Sequence, residues 1–382
     1  MRYTRAIIQL LGPIILLVIV ALIGASTGIA TQQDFLQALV MVTVVIGIYV
    51  FSGNSGVISL GHVSFVALGA FTAGVLTVPV VSRPTVLPDL FGFLRTFALT
   101  NPESLALAAG LGALYAFLVG IPLMRLSGFA AGIATFAVLE ITNNVFTFWG
   151  KIGPADNALP LVPETTGFLQ ATVAAIVVTV IAYAYQRSRP GRLLRAARED
   201  PYAAQAAGIN IYRQRLLAFT LSGALAGLGG GLYVHFLGSI DTSQVYLDLT
   251  FLTLAMLVIG GAYSLWGAVL GAVLISLLDS FLASAENGVS IGFTTLTIPG
   301  GSSLVILGVL MVVFMLFRQR GLTNSGEFGL PTRAGIVRVA VWRRSPPARP
   351  ADPRATRTLA VPPPGVDEDA ADAISDDAGE RG

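Results

Sequence analysis

Ten long apolar segments recur along this 382-residue chain, and they constrain its fold more than any other feature. They lie near residues 6–26, 36–51, 57–80, 104–122, 128–149, 168–186, 215–237, 249–262, 265–283 and 302–317. A helix needs about 20 mainly apolar residues to cross a bilayer core, and most of these segments approach that length. The sequence therefore predicts an all-α fold, a polytopic transmembrane helical bundle of about ten spans.

Composition agrees with a chain embedded in a membrane. Hydrophobic residues make up 54% of the chain and charged residues only 12%, and the mean hydropathy is +0.76. A soluble domain carries roughly 25% charged residues, so this chain lacks the side chains that a water-facing surface requires. It has no Cys, and its two His, His62 and His235, lie far apart in sequence, so we expect no metal site.

The N-terminus allows two interpretations. Arg2 and Arg5 precede an apolar stretch at 7–23, as in a secretory signal peptide. That stretch is long for a signal peptide and no A-x-A cleavage site follows it, so we expect a retained first span.

Arginines gather at alternate connections between the apolar segments. They occur before the first span, after the fourth, after the sixth and after the last: Arg2, Arg5, Arg125, Arg187, Arg189, Arg192, Arg195, Arg198, Arg213, Arg215, Arg318 and Arg320. Basic residues favour the cytoplasmic side. Ten spans place all these sites and both termini in the cytoplasm, and this count requires a break at 260–264 between two helices.

Two short blocks hint at an internal repeat. SLGH at 59–62 and SLWG at 264–267 each open an apolar run, and the predicted topology starts both runs at the same face. Inverted repeats with broken helices are common in transporters, although a chance similarity between helix starts explains the match equally well.

The C-terminal part differs in composition from the predicted transmembrane domain, 1–320. Residues 331–364 are rich in Pro, Arg and Ala, and residues 366–380 form an acidic run. Such segments bury too little apolar surface to offset the entropy of ordering them. We predict a disordered cytoplasmic tail at 321–382, with a regulatory or docking role as the alternative.

The connection 187–214 is the most structured of the predicted loops. Asp200 can cap a helix that starts at Pro201, and Gly208 suits its end, so we expect a short surface helix at 201–207. Its small alanine side chains suit a groove on a partner protein. The alternative is a basic connector that only sets the orientation of the chain.

Three blocks in order, near 59–70, 191–227 and 260–271, resemble the LivM-type permease subunits of branched-chain amino-acid ABC importers, in the high-affinity branched-chain amino-acid and urea permease family. The resemblance implies a subunit that passes a small polar solute, branched-chain amino acids above all, across the bacterial inner membrane. Its partners would be a LivH-like second permease, two ABC ATPases and a periplasmic or extracytoplasmic substrate-binding protein. It implies neither an enzyme nor a nucleic-acid partner, and no cofactor other than ATP on the partner subunits.

The same resemblance makes 187–214 the coupling loop that docks on the ATPases. The residues it implicates are Arg198, Glu199, Ala203, Ala204 and Gly208. Importers of this class usually carry Glu-Ala-Ala before the glycine. Here the triplet is Tyr202-Ala203-Ala204, so the acidic contact of that motif is not supplied at this position, and Glu199 lies earlier.

The chain has no P-loop of its own. That motif needs a lysine after a glycine-rich turn to reach the phosphates. Lys151 is the only lysine, and no such turn precedes it. If the chain is part of an ABC importer, another chain must therefore hydrolyse the ATP.

Polar residues interrupt the fifth apolar segment. Glu140, Asn143 and Asn144 are spaced i, i+3 and i+4, which places them on one helix face. A carboxylate at membrane depth is costly and usually faces a cavity or a partner. The triad predicts either a polar lining of the translocation path or a hydrogen-bonded cluster between helices.

Two further features suggest roles. Gly223, Gly227 and Gly231 repeat every four residues, which is typical of a surface that packs closely on another helix, in this chain or in a partner. His62 follows a glycine at a helix start, where it could line the path or serve as a hydrogen-bonded core residue.

Three other functions compete with the importer subunit. An ion-coupled secondary transporter would need several buried carboxylates, and Glu140 is the one firm candidate. A membrane enzyme would need a His, Cys or carboxylate cluster. A urea, amide or sugar ABC permease would share the architecture, so the sequence leaves the solute open.

Overall fold

The computed structural model describes residues 2–126, 128–155, 158–286, 288–291, 294–296, 299–318, 321–323 and 326–327. The chain divides into two units, Met1–Gly329 and Leu330–Gly382, and the second lies outside the described residues. Most of the predicted tail is therefore not described, and its disorder and location stay predictions. The first unit continues past the predicted boundary at 320.

The described part is almost entirely helical. In chain order the α-helices are α1 (Arg2–Ser26), α2 (Ile29–Ser55), α3 (Val63–Thr77), α4 (Arg83–Val86), α5 (Gly92–Thr96), α6 (Asn101–Leu123), α7 (Phe129–Phe148), α8 (Phe168–Arg187), α9 (Arg189–Glu199), α10 (Pro201–Ala206), α11 (Ile211–Leu237), α12 (Leu247–Gly260), α13 (Leu265–Glu286) and α14 (Ser302–Phe317). A 3₁₀ turn, Ser243–Val245, precedes α12.

Each predicted apolar segment coincides with one helix, so the polytopic helical bundle is confirmed. Among the described residues, eight helices are long and apolar enough to cross a membrane, and α3 and α14 are shorter apolar helices. The departure from an all-α fold is an antiparallel hairpin of β1 (Val289–Ile291) and β2 (Thr294–Leu296). Strands of three residues carry too little alternation to be recognised in a sequence.

Local side-chain caps explain where some helices begin. Thr100 and Glu103 form a capping box at the start of α6, where the Thr100 N–H donates to Glu103 Oε2 at 2.9 Å. At the start of α11, Asn210 Oδ1 accepts from the Arg213 N–H at 3.0 Å. Both caps satisfy donors that the first helical turn leaves unpaired.

The centre of the bundle is α11, which packs against α2, α3 and α6. Glycines allow its backbone to approach these neighbours. A Cβ at Gly230 would lie 2.0 Å from the Val66 carbonyl oxygen, and one at Gly69 would lie 2.1 Å from that of Gly227. Small residues at such crossings replace side-chain contact with backbone contact, as in many membrane proteins.

Helix ends group at two faces of the bundle. At the face that carries α9 and α10, called here the arginine-rich face, the Tyr212 hydroxyl at the start of α11 donates to Ile121 O at 3.1 Å near the end of α6. At the opposite face, the Leu159 N–H donates to Ile240 O at 2.7 Å, beyond the end of α11. This alternation agrees with the order of crossings predicted from the arginines. The cytoplasmic assignment of the arginine-rich face stays a prediction.

Two breaks in the helices meet at the arginine-rich face. Residues 56–62 separate α2 from α3, and residues 261–264 separate α12 from α13, as the predicted break at 260–264 requires. Ile58 and Tyr263 from the two breaks line one cavity of about 290 Å³. Both SLGH and SLWG therefore open helices at the same face, while the repeat itself stays a prediction.

A buried arginine organises the connection between α3 and α6 at the opposite face. Arg83 is fully buried, and its guanidinium donates to the carbonyl oxygens of Leu76 at 2.9 Å, Val78 at 3.0 Å, Leu94 at 2.6 Å and Phe97 at 2.8 Å. A buried cation is costly unless its donors are satisfied. Here five backbone carbonyls, including that of Arg95 at 3.4 Å, accept from the guanidinium and hold the connection in a folded conformation.

Candidate functional site: the arginine-rich face and the polar face of α7

The predicted surface helix at 201–207 corresponds to α10, which spans Pro201–Ala206. Asp200 Oδ1 accepts from the N–H groups of Tyr202 and Ala203, both at 3.0 Å, and Pro201 takes the first helical position. Gly208 follows with a φ of +76°, the left-handed conformation that ends helices. The connection is thus a folded element with a capped helix at its tip.

A second helix of this connection, α9, was not predicted. Its Leu194 and Ala197 are buried on one side. Their i, i+3 spacing within a basic stretch is the signal that could have identified an amphipathic helix. The coupling segment, defined here as α9 and α10, therefore lies against the bundle along its first half.

Arg198 attaches the coupling segment to the bundle at two points. Its Nη1 donates to Gly53 O near the end of α2 at 2.8 Å, and its guanidinium lies 4.6 Å from the ring centroid of Tyr263 in the α12–α13 break. Arg198 also pairs with Glu199 at 2.6 Å. The Glu199 side chain is mostly exposed, so this ion pair adds little by itself.

The tip of the coupling segment presents a mixed surface. Tyr202 is 84% exposed, whereas Ala204 is 5% exposed and packs inward. Ala203 and Gly208 are exposed. Beside the tip, a cleft of about 680 Å³ is lined by Arg125, which follows α6, and by residues of α10 and α11 that include Arg215. An exposed aromatic residue next to a cleft with two arginines is a surface that a partner protein can fit.

The polar residues of α7 form a second site. Asn144 Nδ2 donates to Glu140 Oε1 at 2.8 Å, and the Tyr246 hydroxyl, just before α12, donates to Glu140 Oε2. Glu140 and Asn143 are half-buried and Asn144 is exposed. Glu140 thus takes part in a contact between helices and also remains open on one side.

The exposure of Glu140 and Asn144 restricts which surroundings are favourable at this face of α7. An ionisable side chain facing hydrocarbon costs several kcal/mol. The face of α7 that carries Glu140 and Asn144 is therefore suited to water or to a polar partner surface, not to lipid. This geometry is compatible with both predictions for the triad, a polar lining of the translocation path and a hydrogen-bonded cluster between helices.

His62 lies in the core rather than on an open face, and its role in lining the path stays a prediction. It is 1% exposed, and the rings of Phe51, Phe65 and Phe219 surround it with centroid distances of 5.4, 5.6 and 5.2 Å. Neither ring nitrogen has a hydrogen-bond partner in the described part of the chain, so His62 also differs from a hydrogen-bonded core residue. The reason is its position at the start of α3, which directs the ring between α2 and α11.

The three spaced glycines of α11 face α6. A Cβ at Gly223 would lie 2.3 Å from Ala116 Cβ, one at Gly227 would lie 2.5 Å from Ala108 O, and one at Gly231 would lie 2.8 Å from Leu105 Cδ2. Their packing partner is thus a helix of the same chain.

Sequence reasoning missed several polar residues that the structure brings together. Tyr49, Gln186 and Glu327 meet at the arginine-rich face although more than a hundred residues separate each of the hydrogen-bonded pairs. An isolated Tyr in one apolar segment and a Gln at the end of another were the signals present. Among the described residues, no group of three or more ionisable side chains could hold a metal ion.

The described helices combine membrane-spanning length with one polar helix face and a folded segment at one end, an architecture that is compatible with a membrane transport component. A family model described as the permease component of the branched-chain amino acid transport system matches residues 30–315, and the chain belongs to this family. Members of the family are transport components, and the chain is accordingly not an enzyme.

The relatives differ in what their names say they transport. The high-affinity branched-chain amino acid transport system permease protein LivM of Salmonella typhimurium is 24% identical over 81% of this chain and 72% of its own length. The nucleoside ABC transporter permease protein NupC of Lactococcus lactis is 27% identical over 66% of this chain and 77% of its own length. The fructose import permease protein FrcC of Rhizobium meliloti is 24% identical over 63% and 74%. No solved structure is significantly similar to the chain.

Proposed function

We propose that this chain is the membrane-spanning permease subunit of an ATP-powered importer in the bacterial inner membrane. The observation that carries the proposal is the coupling segment, a capped helix pair that Arg198 joins to the ends of α2 and α12. A partner that moves this segment would move both membrane helices. A basic connector that only sets orientation would need neither the caps nor the buried side of α9.

Membership of the family is the basis for the partner subunits that we propose. We infer a LivH-like second permease, two ABC ATPases that dock on α10, and an extracytoplasmic binding protein that delivers the solute. ATP is hydrolysed on the ATPases, because Lys151 is the only lysine here and no P-loop contains it. In this arrangement the arginine-rich face and both termini are cytoplasmic.

The polar face of α7 is the proposed lining of the translocation path. Glu140 and Asn144 are open on a face that lipid would penalise, so the second permease subunit and the path are suited to lie there. We do not include His62 in this proposed lining, because its ring is buried.

Branched-chain amino acids are the proposed solutes. The family description and the LivM relatives support them, and the Glu140 carboxylate offers an attractive charge for an amino-acid ammonium group. The nucleoside and fructose permeases among the relatives make those solutes the alternatives, together with urea and amides.

Reconstitution tests the proposal. The chain is co-expressed with its partner subunits, purified as a complex and placed in vesicles with ATP inside. Uptake of leucine, isoleucine and valine is then compared with that of urea, fructose and a nucleoside. ATP-dependent uptake supports the importer, and the accepted solute decides the substrate class. Uptake that needs an ion gradient and not ATP would show an ion-coupled secondary transporter instead.

A further inference from the structure

The break between α12 and α13 creates a local problem of hydrogen bonding. The last carbonyls of a helix and its first N–H groups have no partner within the helix. At this break both kinds of group lie within a few residues of each other, at residues 257–267. Buried polar groups without partners are costly, so something else must satisfy them.

Residues that follow α14 pair with the end of α12. The Leu322 N–H donates to Ile259 O at 2.8 Å, and Thr323 Oγ1 donates to Gly260 O at 3.1 Å. Gly321 allows this approach, since it has a φ of +68° and a Cβ there would lie 2.6 Å from the Gly261 Cα. We call residues 321–323 and 326–327 the clasp.

The clasp also pairs with the start of α13. The Glu327 carboxylate accepts from the N–H groups of Leu265 at 3.2 Å and Trp266 at 3.4 Å. Ser264 Oγ donates to Gly326 O at 2.9 Å. A carboxylate at a helix N-terminus is also favoured by the helix dipole. The clasp therefore satisfies groups on both sides of the break.

Glu327 continues from the break towards the coupling segment. Gln186 at the end of α8 donates from Nε2 to Glu327 Oε1 at 3.1 Å, and the Tyr49 hydroxyl of α2 donates to Gln186 Oε1 at 2.8 Å. Tyr49 and Gln186 are both buried. Arg195 of α9 donates to the backbone carbonyl of Gln186. A continuous set of hydrogen bonds thus joins α9, α8, α2, the clasp and α13.

We propose that Glu327 is a positioning residue that transmits movement of the coupling segment to the start of α13. The proposal rests on the proposed function of α9 and α10. Arg198 already joins the coupling segment to the α2 end and to Tyr263 in the break. Glu327 supplies a second connection on the other side of the break, so the break moves with the coupling segment as one body. Without Glu327, α13 can stay in place while α9 moves.

The test measures coupling in the complete importer complex. The stimulation ratio is the ATPase rate with solute-loaded binding protein divided by the rate without it. For Glu327→Ala we expect this ratio to fall about tenfold, or ~1.4 kcal/mol, while the complex still assembles and hydrolyses ATP at its unstimulated rate. The matched control is a chain ending at residue 329, which loses residues 330–382 but keeps the clasp, and its ratio should stay at the wild-type value.

An exchanged pair separates positioning from general stability. Glu327→Gln places an NH₂ group, which cannot accept a hydrogen bond, against an N–H or amide donor. The stimulation ratio of this variant should therefore also fall. In the double variant Gln186→Glu with Glu327→Gln, the amide at 327 can donate to the carboxylate at 186, and most of the ratio should return. If Glu327→Ala prevents assembly, the Glu327→Gln variant and the exchanged pair decide the question.

Three results would overturn the proposal: a wild-type ratio in Glu327→Gln, no recovery in the exchanged pair, or an equal loss in the chain ending at residue 329. These results are distinct from a failure of the proposed function, which would appear as absent stimulation in the wild-type complex.

Discussion

Arg198 holds the coupling segment to the bundle through two contacts. Its guanidinium donates to Gly53 O at 2.8 Å, and its Cζ lies 4.6 Å from the centre of the Tyr263 ring. Charge-assisted hydrogen bonds contribute about 1.5–3 kcal/mol, and cation–π contacts about 0.5–2 kcal/mol. A lysine carries the same charge but cannot make the planar contact and the directed hydrogen bond together.

We therefore predict that Arg198→Ala lowers ATP-driven uptake about tenfold and that Arg198→Lys gives an intermediate rate. Uptake by the reconstituted complex measures both. Arg192→Ala is the control, because Arg192 is an exposed arginine on the same helix. Equal losses in Arg192→Ala and Arg198→Ala would show that only the total basic charge matters.

A second prediction concerns the charge of Glu140. Glu140→Gln keeps a hydrogen-bonding side chain next to Tyr246 and Asn144 but removes the charge. If the carboxylate attracts a solute cation in the path, uptake should fall about tenfold, with the apparent melting temperature little changed. Ile141→Val, at an exposed neighbouring position of α7, should leave both quantities unchanged. A large fall in melting temperature with normal uptake would assign Glu140 to packing alone.

The sequence predicted which residues share a helix face, but it did not predict their contacts with distant helices. The sequence predicted that Glu140 and Asn144 share a helix face, because helical spacing is a local property. It could not predict Tyr246 as their partner, or Glu327 as the partner of Gln186, since these contacts depend on how distant helices pack. His62 shows the same limit, because the packing of Phe51 and Phe219 around its ring is tertiary.

At the scale of elements, the contact between α6 and α11 relies on the absence of side chains. A Cβ at Gly112 would lie 2.4 Å from Gly223 O, whereas a Cβ at Gly110, on the same helix, meets nothing within 4 Å. These two glycines of α6 make a matched pair.

We predict that Gly112→Ala lowers the apparent melting temperature of the purified chain, since overpacking costs about 1–3 kcal/mol. Gly110→Ala should leave it unchanged or raise it slightly, because alanine favours helix by up to ~1 kcal/mol. Thermal unfolding in one detergent compares them directly. An unchanged melting temperature in Gly112→Ala would mean that the two helices lie further apart.

The long elements were predictable because each needs only an apolar run of sufficient length. The break at 260–264 was predictable from its glycines and from the arginine count. The short elements were not. α9 is basic and brief, β1 and β2 have three residues each, and the folded connection around Arg83 depends on a buried cation that no local pattern reveals.

At the scale of the whole molecule, the chain belongs to a family of permease components, and its sequence contains no P-loop. We predict that the purified chain alone shows no ATPase activity, and that the complex with its ATPase partners does. Phosphate release measures both. Activity of the chain alone, persisting after removal of any co-purified ATPase, would contradict the assignment of hydrolysis to other subunits.

The clasp also has a consequence for the order in which the protein is made. Sixty-two residues separate Ser264 from Gly326, so the ribosome completes α13, the hairpin and α14 before the clasp exists. Until then the last carbonyls of α12 and the first N–H groups of α13 lack these partners. The hydrogen bonds that the clasp makes at the break between α12 and α13 therefore form at a late step of biogenesis. A chain whose synthesis stops before Glu327 lacks the acceptor for the first N–H groups of α13 and keeps this junction incomplete.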